Sequence, residues 1–199
     1  IWFEIHSQTA TLKFSLHKQH NVNQLNKLDN SNGFSMAQAK RFIIPFLENI
    51  GINPQQCNVK YYEIGLNIPL SESPLLFIQE IKAVGTGKKE TFVDANYKKD
   101  RQRTTEKTTN VKKVFKIYDK GFESYSRKGI KPDKGEDYPH ILRIETIYKR
   151  QNKPLCNLFT PTNLKKLASQ FYKDWKNAEF AKRIETAKGV TTAQLTRAK

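Results

Sequence analysis

Cysteine is scarce in this chain of 199 residues: only Cys57 and Cys156, far apart and without a paired spacing. That excludes a zinc-finger spacing and a disulfide framework, and fits a reducing compartment. Long apolar runs are missing too; none approaches the roughly 18 residues that a membrane span needs. No signal peptide is visible, since the opening Ile1-Trp2-Phe3-Glu4 is acidic and β-like. No initiator Met is present, so residues are expected upstream. No internal repeat emerges. Acidic residues are few, 19 against 35 Lys and Arg, for a net charge of +16.

What is present is a lopsided positive field. Residues 1–97 carry a net charge of +1 and residues 98–199 a net of +15. Such a surplus repels itself and suits a polyanion: a nucleic acid or an anionic membrane. Generic solubility is the bland alternative. With 37% apolar and 11% aromatic residues, the chain also has the material for a core.

Periodicity predicts four strands. Residues 11–18 alternate, with Leu12, Phe14 and Leu16 on one face and Lys13, Ser15 and His17 on the other. Residues 60–68, 113–119 and 140–149 are the remaining three. A helix is expected over 35–50, capped by Ser35 and ended by Gly51, with Pro45 a conflict that should kink or split it. Ser73-Pro74 opens a short helix to about Lys82. Thr160-Pro161 begins the last one, with Leu164, Leu167, Ala168, Phe171 and Trp175 as its apolar face and a helical pattern reaching about Lys188. Residues 19–33, 86–113 and 124–139 are expected to be loops, the second of them basic and mobile with a short strand near Phe92. Long connections argue against simple hairpins, so an α+β sheet with helices on one face is the expected fold.

The polar strand faces carry reactive types: His17, then Glu63 and Asn67, then Tyr118 between Lys116 and Lys120, then Arg143 and Glu145. Period-2 geometry lets them share one side of a sheet if the strands are neighbours. Together they suit phosphodiester transfer. A tyrosine oxygen can attack phosphorus, lysines or Arg143 can neutralise the charge that develops, and carboxylates with a histidine can hold Mg²⁺ or Mn²⁺. Each residue also has a plainer role. A strand tyrosine can be packing, Glu63 and Glu145 can pair across strands with Lys116 or Arg143, and the Lys98–Arg103 run can be a solvated loop or can track backbone phosphates.

The order Ser15-Leu16-His17-Lys18, His20-Asn21, Ile50-Gly51-Ile52-Asn53 and Tyr62-Glu63-Ile64-Gly65-Leu66-Asn67-Ile68 resembles the filamentous-phage and plasmid replication initiators of the gene II and X type. Phe115-Lys116-Ile117-Tyr118-Asp119-Lys120-Gly121 followed by Ile141-Leu142-Arg143-Ile144-Glu145 is similar to that family's most recognisable pair of strands. The resemblance runs from about residue 11 to 176. It implies a rolling-circle nicking and joining endonuclease with a mainly antiparallel, HUH/Rep-like sheet, which forms a 5′-phosphotyrosine link and leaves a 3′-hydroxyl for a polymerase. Carried over by position, Tyr118 is the nucleophile, with Lys120 and Lys116 beside it. Glu63, Glu145 and, more weakly, His17 are the metal group for Mg²⁺ or Mn²⁺. Arg143, Lys98, Lys99, Arg101 and Arg103 meet DNA phosphates. The chain departs from many such nickases in having no contiguous His-hydrophobic-His tripeptide.

These readings give a catalytic domain over 1–159, lacking its native N-terminus, and a helical segment over 160–199 packed on the sheet with a frayed tail. The expected partners are single-stranded or origin DNA, with a host helicase and polymerase, in the bacterial cytosol and away from membrane. The alternative is a non-catalytic, basic single-stranded-DNA-binding protein or replication regulator. An RNA-binding or membrane-surface protein is the third reading.

Overall fold

A computed structural model describes residues 1–93, 97–106, 111–133 and 137–181. It begins with a hairpin of β1 (Trp2–His6) and β2 (Thr9–Lys13), in register from Trp2 opposite Lys13 to His6 opposite Thr9. The strand expected over 11–18 stops at Lys13. Ser15 turns the chain into helix α1 (Leu16–Leu25) by accepting the amide of Lys18 on its hydroxyl, a standard way to satisfy an orphan helix-start donor. This corrects the placement of His17, which sits on a helix, and of residues 19–25, which were expected in a loop. The inward stripe of α1 is polar, with His17 and Asn21 as its buried residues, so no apolar 3.6-residue repeat advertises it.

Helix α2 (Met36–Asn49) opens on a reciprocal Ser35–Gln38 capping box. It runs through Pro45 without breaking. Its buried Ile43, Phe46 and Leu47 meet Leu155, with Phe14 and Phe159 packed around them in a small core. Strand β3 (Asn58–Val59) and strand β4 (Tyr62–Pro69) follow, then α3 (Pro74–Glu80), which leads directly into β5 (Ile81–Val84). Within the stretch read as a mobile basic loop with a short strand near Phe92, that strand is present as β6 (Glu90–Thr91), and α4 (Tyr97–Asp100) and β7 (Gln102–Thr104) are ordered elements that were not expected. Strand β8 (Lys113–Asp119) passes straight into α5 (Lys120–Ser126), which Asp119 caps by accepting the amide of Phe122 at 2.9 Å. Part of the loop expected over 124–139 is therefore helix. Strand β9 (Ile141–Tyr148), the short β10 (Lys153–Pro154) and α6 (Leu155–Leu158) lead to α7 (Pro161–Lys176), capped by Thr160. The helix ends at Lys176, and β11 (Glu179–Phe180) then pairs with β5. The tail expected to fray lies outside the described residues.

The principal sheet has the order β4-β9-β8-β7 and is antiparallel throughout. Strands β7, β8 and β9 pair in sequence order, and β9 also pairs with β4, so β4 joins the rest of the sheet through a crossover. One face is apolar. Phe115, Ile117, Leu142 and Ile144 pack with Ile78, Ile81, Val84 and Phe92, and Phe171 and Trp175 of α7 close over them. Trp175 donates its indole N–H to the buried Thr146 hydroxyl at 3.0 Å, and buried Asp174 pairs with Lys113. The fold is α+β, with α3 and α7 on this face. Among the described residues no helix is long and apolar enough to cross a membrane.

Candidate active site

The opposite face of the sheet carries the reactive types. Register places Asn67, Arg143 and Tyr118 in one row across β4, β9 and β8, and Gly65, Glu145 and Lys116 in the next. Strict alternation puts both rows on the same side, which is why the sequence pattern located them. The Tyr118 hydroxyl donates to Glu145 Oε1 at 3.0 Å. Arg143 Nε donates to that same oxygen at 2.6 Å, and its Nη1 donates to Asn67 Oδ1 at 2.9 Å. The Asn67 amide nitrogen is shared among the carbonyls of Asn30, Ser31 and Asn32, the nearest being Ser31 at 2.8 Å. Lys116 Nζ lies 4.6 Å from the centroid of the Tyr118 ring. Gly65 leaves room for this assembly, since a Cβ there would come within 2.7 Å of Arg143 Nη2 and 3.0 Å of Glu145 Cγ.

Electrostatics fix the resting protonation. Tyr118 is 7% exposed. Burial first, and the Glu145 carboxylate second, push its phenol well above the ordinary tyrosine range, with Arg143 opposing. Tyr118 is therefore a neutral phenol at physiological pH and needs a base to become a nucleophile. Burial works against charge on Arg143, but Tyr118 and Glu145 outweigh it and raise its pKa.

The remaining site residues named from sequence are scattered among other partners. Glu63 shares the polar face but accepts the hydroxyl of Tyr61. His17 is buried on α1, stacks on Phe34 at 4.6 Å and sits 2.7 Å from Asn32 Oδ1. That oxygen also accepts Asn21 Nδ2 at 2.7 Å, so the shared arrangement has His17 donating from Nε2. Burial lowers the His17 pKa despite that bond. Lys120 is fully buried and paired with Glu123 at 2.5 Å. Its pKa is lowered by burial, against the pull of Glu123. Arg101 is an internal strut: it pairs with the buried Asp119 at 3.0 Å and with Asp137 at 3.4 Å, and lies over the Phe122 and Tyr138 rings. Arg103 is buried and donates to the main-chain carbonyls of Ile78 at 3.2 Å and Phe92 at 3.3 Å. Neither arginine is displayed to a phosphate, because each satisfies buried acceptors of the fold. Lys99 is exposed; the Lys98 side chain lies outside the described residues.

The residues assigned to a metal do not fit one. Among the described residues no three His, Cys, Asp or Glu side chains gather around a common point. Glu145 is engaged by Arg143, whose charge opposes a cation there, and His17 turns its Nε2–H to Asn32.

No family model, curated protein or solved structure matches this chain. The site therefore stands on its own geometry. One part of it escaped the sequence reading: Asn21, Asn30 and Asn32, which tie α1 to Asn67 and so to Arg143. The signal was the density of asparagine over 19–33. Clustered amides are what an irregular segment needs to satisfy buried backbone.

Proposed function

We propose that the chain is a DNA replication protein of the rolling-circle initiator type, built on an HUH/Rep-like sheet, that nicks and rejoins one strand through Tyr118. The observation that carries this reading is the Tyr118–Glu145–Arg143 hydrogen-bonded group on the polar face of the sheet, in a chain whose second half is strongly basic. As the Tyr118 oxygen attacks phosphorus, its proton passes to Glu145, the acceptor it already faces. The bond from phosphorus to the 3′ oxygen breaks, and that oxygen leaves with the electron pair and takes a proton from solvent. Arg143 neutralises charge on the non-bridging oxygens. Lys116, over the Tyr118 ring, adds a second cation beside the reacting phosphate. Rejoining reverses these steps. The free 3′-hydroxyl would serve a polymerase, and a helicase would open the duplex ahead of it, in the cytosol of a bacterial host.

A covalent-adduct assay tests this. Labelled single-stranded DNA incubated with the protein, with and without Mg²⁺ or Mn²⁺, should give a denaturation-resistant protein–DNA band. Tyr118→Phe should abolish the band and retain binding. A band that survives in the variant refutes the assignment.

The low exposure of Tyr118 favours a second reading, in which the same network braces the sheet of a single-stranded-DNA-binding protein that does no chemistry. That reading expects salt-sensitive, metal-indifferent binding and no adduct in any condition.

A further inference from the structure

The polar face does not end at Arg143. Two residues earlier on β9, Ile141 lies on the same side of the sheet and floors a pocket of about 360 Å³. Its walls are Lys120, Ser124 and Tyr125 of α5 and Asp29 of the loop that Asn67 holds. Lys128, exposed, stands at its edge.

The chemistry of these walls discriminates among ligands. The volume is near the lower end of the roughly 300–1,000 Å³ of small-ligand pockets, enough for one nucleobase with its sugar. A free anion is poorly suited. The Lys120 charge is already neutralised by Glu123, and the Asp29 carboxylate faces the same space and would repel it. The Asp29 oxygens already accept Ser31 and the Asn30 amide, and a carboxylate so fixed can also accept an amino or imino edge. The Ser124 hydroxyl is buried and makes no hydrogen bond with the described residues, and a turn of its side chain toward the pocket it lines would bring it a partner on a base. Tyr125 is 39% exposed, and its ring is held edge-on by Tyr138 at 6.1 Å, which offers a stacking surface.

We propose that this pocket takes one unpaired nucleobase of the bound DNA strand, neighbouring the phosphodiester at Tyr118, with the base stacked on Tyr125 and its phosphate at Lys128. This rests on the DNA-handling part of the reading above and gives it a recognition subsite: the strand runs along the polar face from Glu145 past Arg143 to Ile141.

The test crosses two proteins with two probes: the whole chain and its Tyr125→Ala variant, each titrated with a fluorescent dT12 and with a 12-mer of the same charge in which every base is removed. Tyr125→Ala should weaken dT12 binding about tenfold, within what one stacked base contributes, and leave the abasic probe unchanged. Lys128→Ala should weaken both equally, as a phosphate contact does. Tyr125→Phe keeps the ring and should bind as the parent does, which separates stacking from misfolding. In the unaltered protein, irradiated 5-iodouracil 12-mer should crosslink to Tyr125. Equal loss on both probes, no loss on either, or a crosslink confined to other residues overturns the pocket. If the pocket results hold and no Tyr118 adduct ever forms, the nicking reading fails and the subsite stands. If the adduct forms and Tyr125→Ala does not discriminate the probes, the subsite fails alone.

Discussion

At Tyr118 the decisive quantity is protonation. A phenol raised by burial and by a neighbouring carboxylate is stabilising only while it keeps its proton. Tyr61, Tyr62 and Tyr148 are pushed in the same direction, burial leading in each case. The unfolded chain binds these protons less tightly, so the stability they contribute is complete below the ordinary tyrosine pKa of about 10 and is lost as pH climbs above it. In an alkaline titration followed at 295 nm, part of the tyrosinate signal should therefore be missing just above pH ~10 and emerge only as far-UV dichroism is lost. Full ionisation of a still-folded protein near that pH would show that Tyr118 is not held as described. Residues like Tyr118, Glu145, Arg143 and Asn67 were legible in the sequence because strands of clean period 2 announce which side chains share a face. Arg101 and Arg103 were not. A basic run looks the same whether its cations meet solvent or buried acceptors such as Asp119 and the carbonyl of Ile78.

Elements fix the site through two glycines of different kinds. At Gly121, in the first turn of α5, a Cβ would fall 1.9 Å from the Pro139 carbonyl oxygen, a backbone atom that cannot swing away. Gly121→Ala should cost about 1–3 kcal/mol or more, as overpacking does, and lower the melting temperature. Gly65 opposes side-chain atoms instead, the Arg143 guanidinium and Glu145 Cγ. Gly65→Ala should displace Arg143 and reduce adduct formation, with a smaller loss of melting temperature than Gly121→Ala because a side chain can give way where the Pro139 backbone cannot. Equal losses of stability in the two variants would contradict the distinction. The same scale explains where the sequence misled. Helix α1 hides its inward face behind His17 and Asn21, and the Leu12, Phe14, Leu16 alternation continues a strand pattern past the Ser15 cap. Helix α5 is short and begins inside what looks like the end of a strand, because Asp119 belongs to β8 and caps the helix at once. Helix α2 was legible from its Ser35 cap and Gly51 stop, and it absorbs Pro45.

Over the whole molecule, ion pairs such as Arg101–Asp119, Lys113–Asp174, Lys149–Glu106 and Arg143–Glu145 draw basic residues of the second half inward. Each pair removes one cation and one anion, so the net charge of +16 survives on the molecule. Binding of single-stranded DNA should accordingly weaken steeply with salt, log K falling by about 0.7 per log unit of salt for each phosphate neutralised. A slope corresponding to several phosphates is expected, and salt-independent binding would remove DNA as the partner. The α+β class was legible from strand spacing, while the antiparallel sheet was expected only from the resemblance. The insertion of β9 between β4 and β8 was not legible, since order across a sheet is set by packing that no local pattern encodes.

The central claim is that one phenol of the eight tyrosines carries the broken strand. Proteolysis of the covalent protein–DNA complex, nuclease trimming and mass-spectrometric mapping of the nucleotide-bearing residue test it most directly. The account predicts the nucleotide mass on Tyr118, in the peptide that continues to Asp119 and Lys120; its appearance on any other residue, or a protein that never acquires it, would contradict the account.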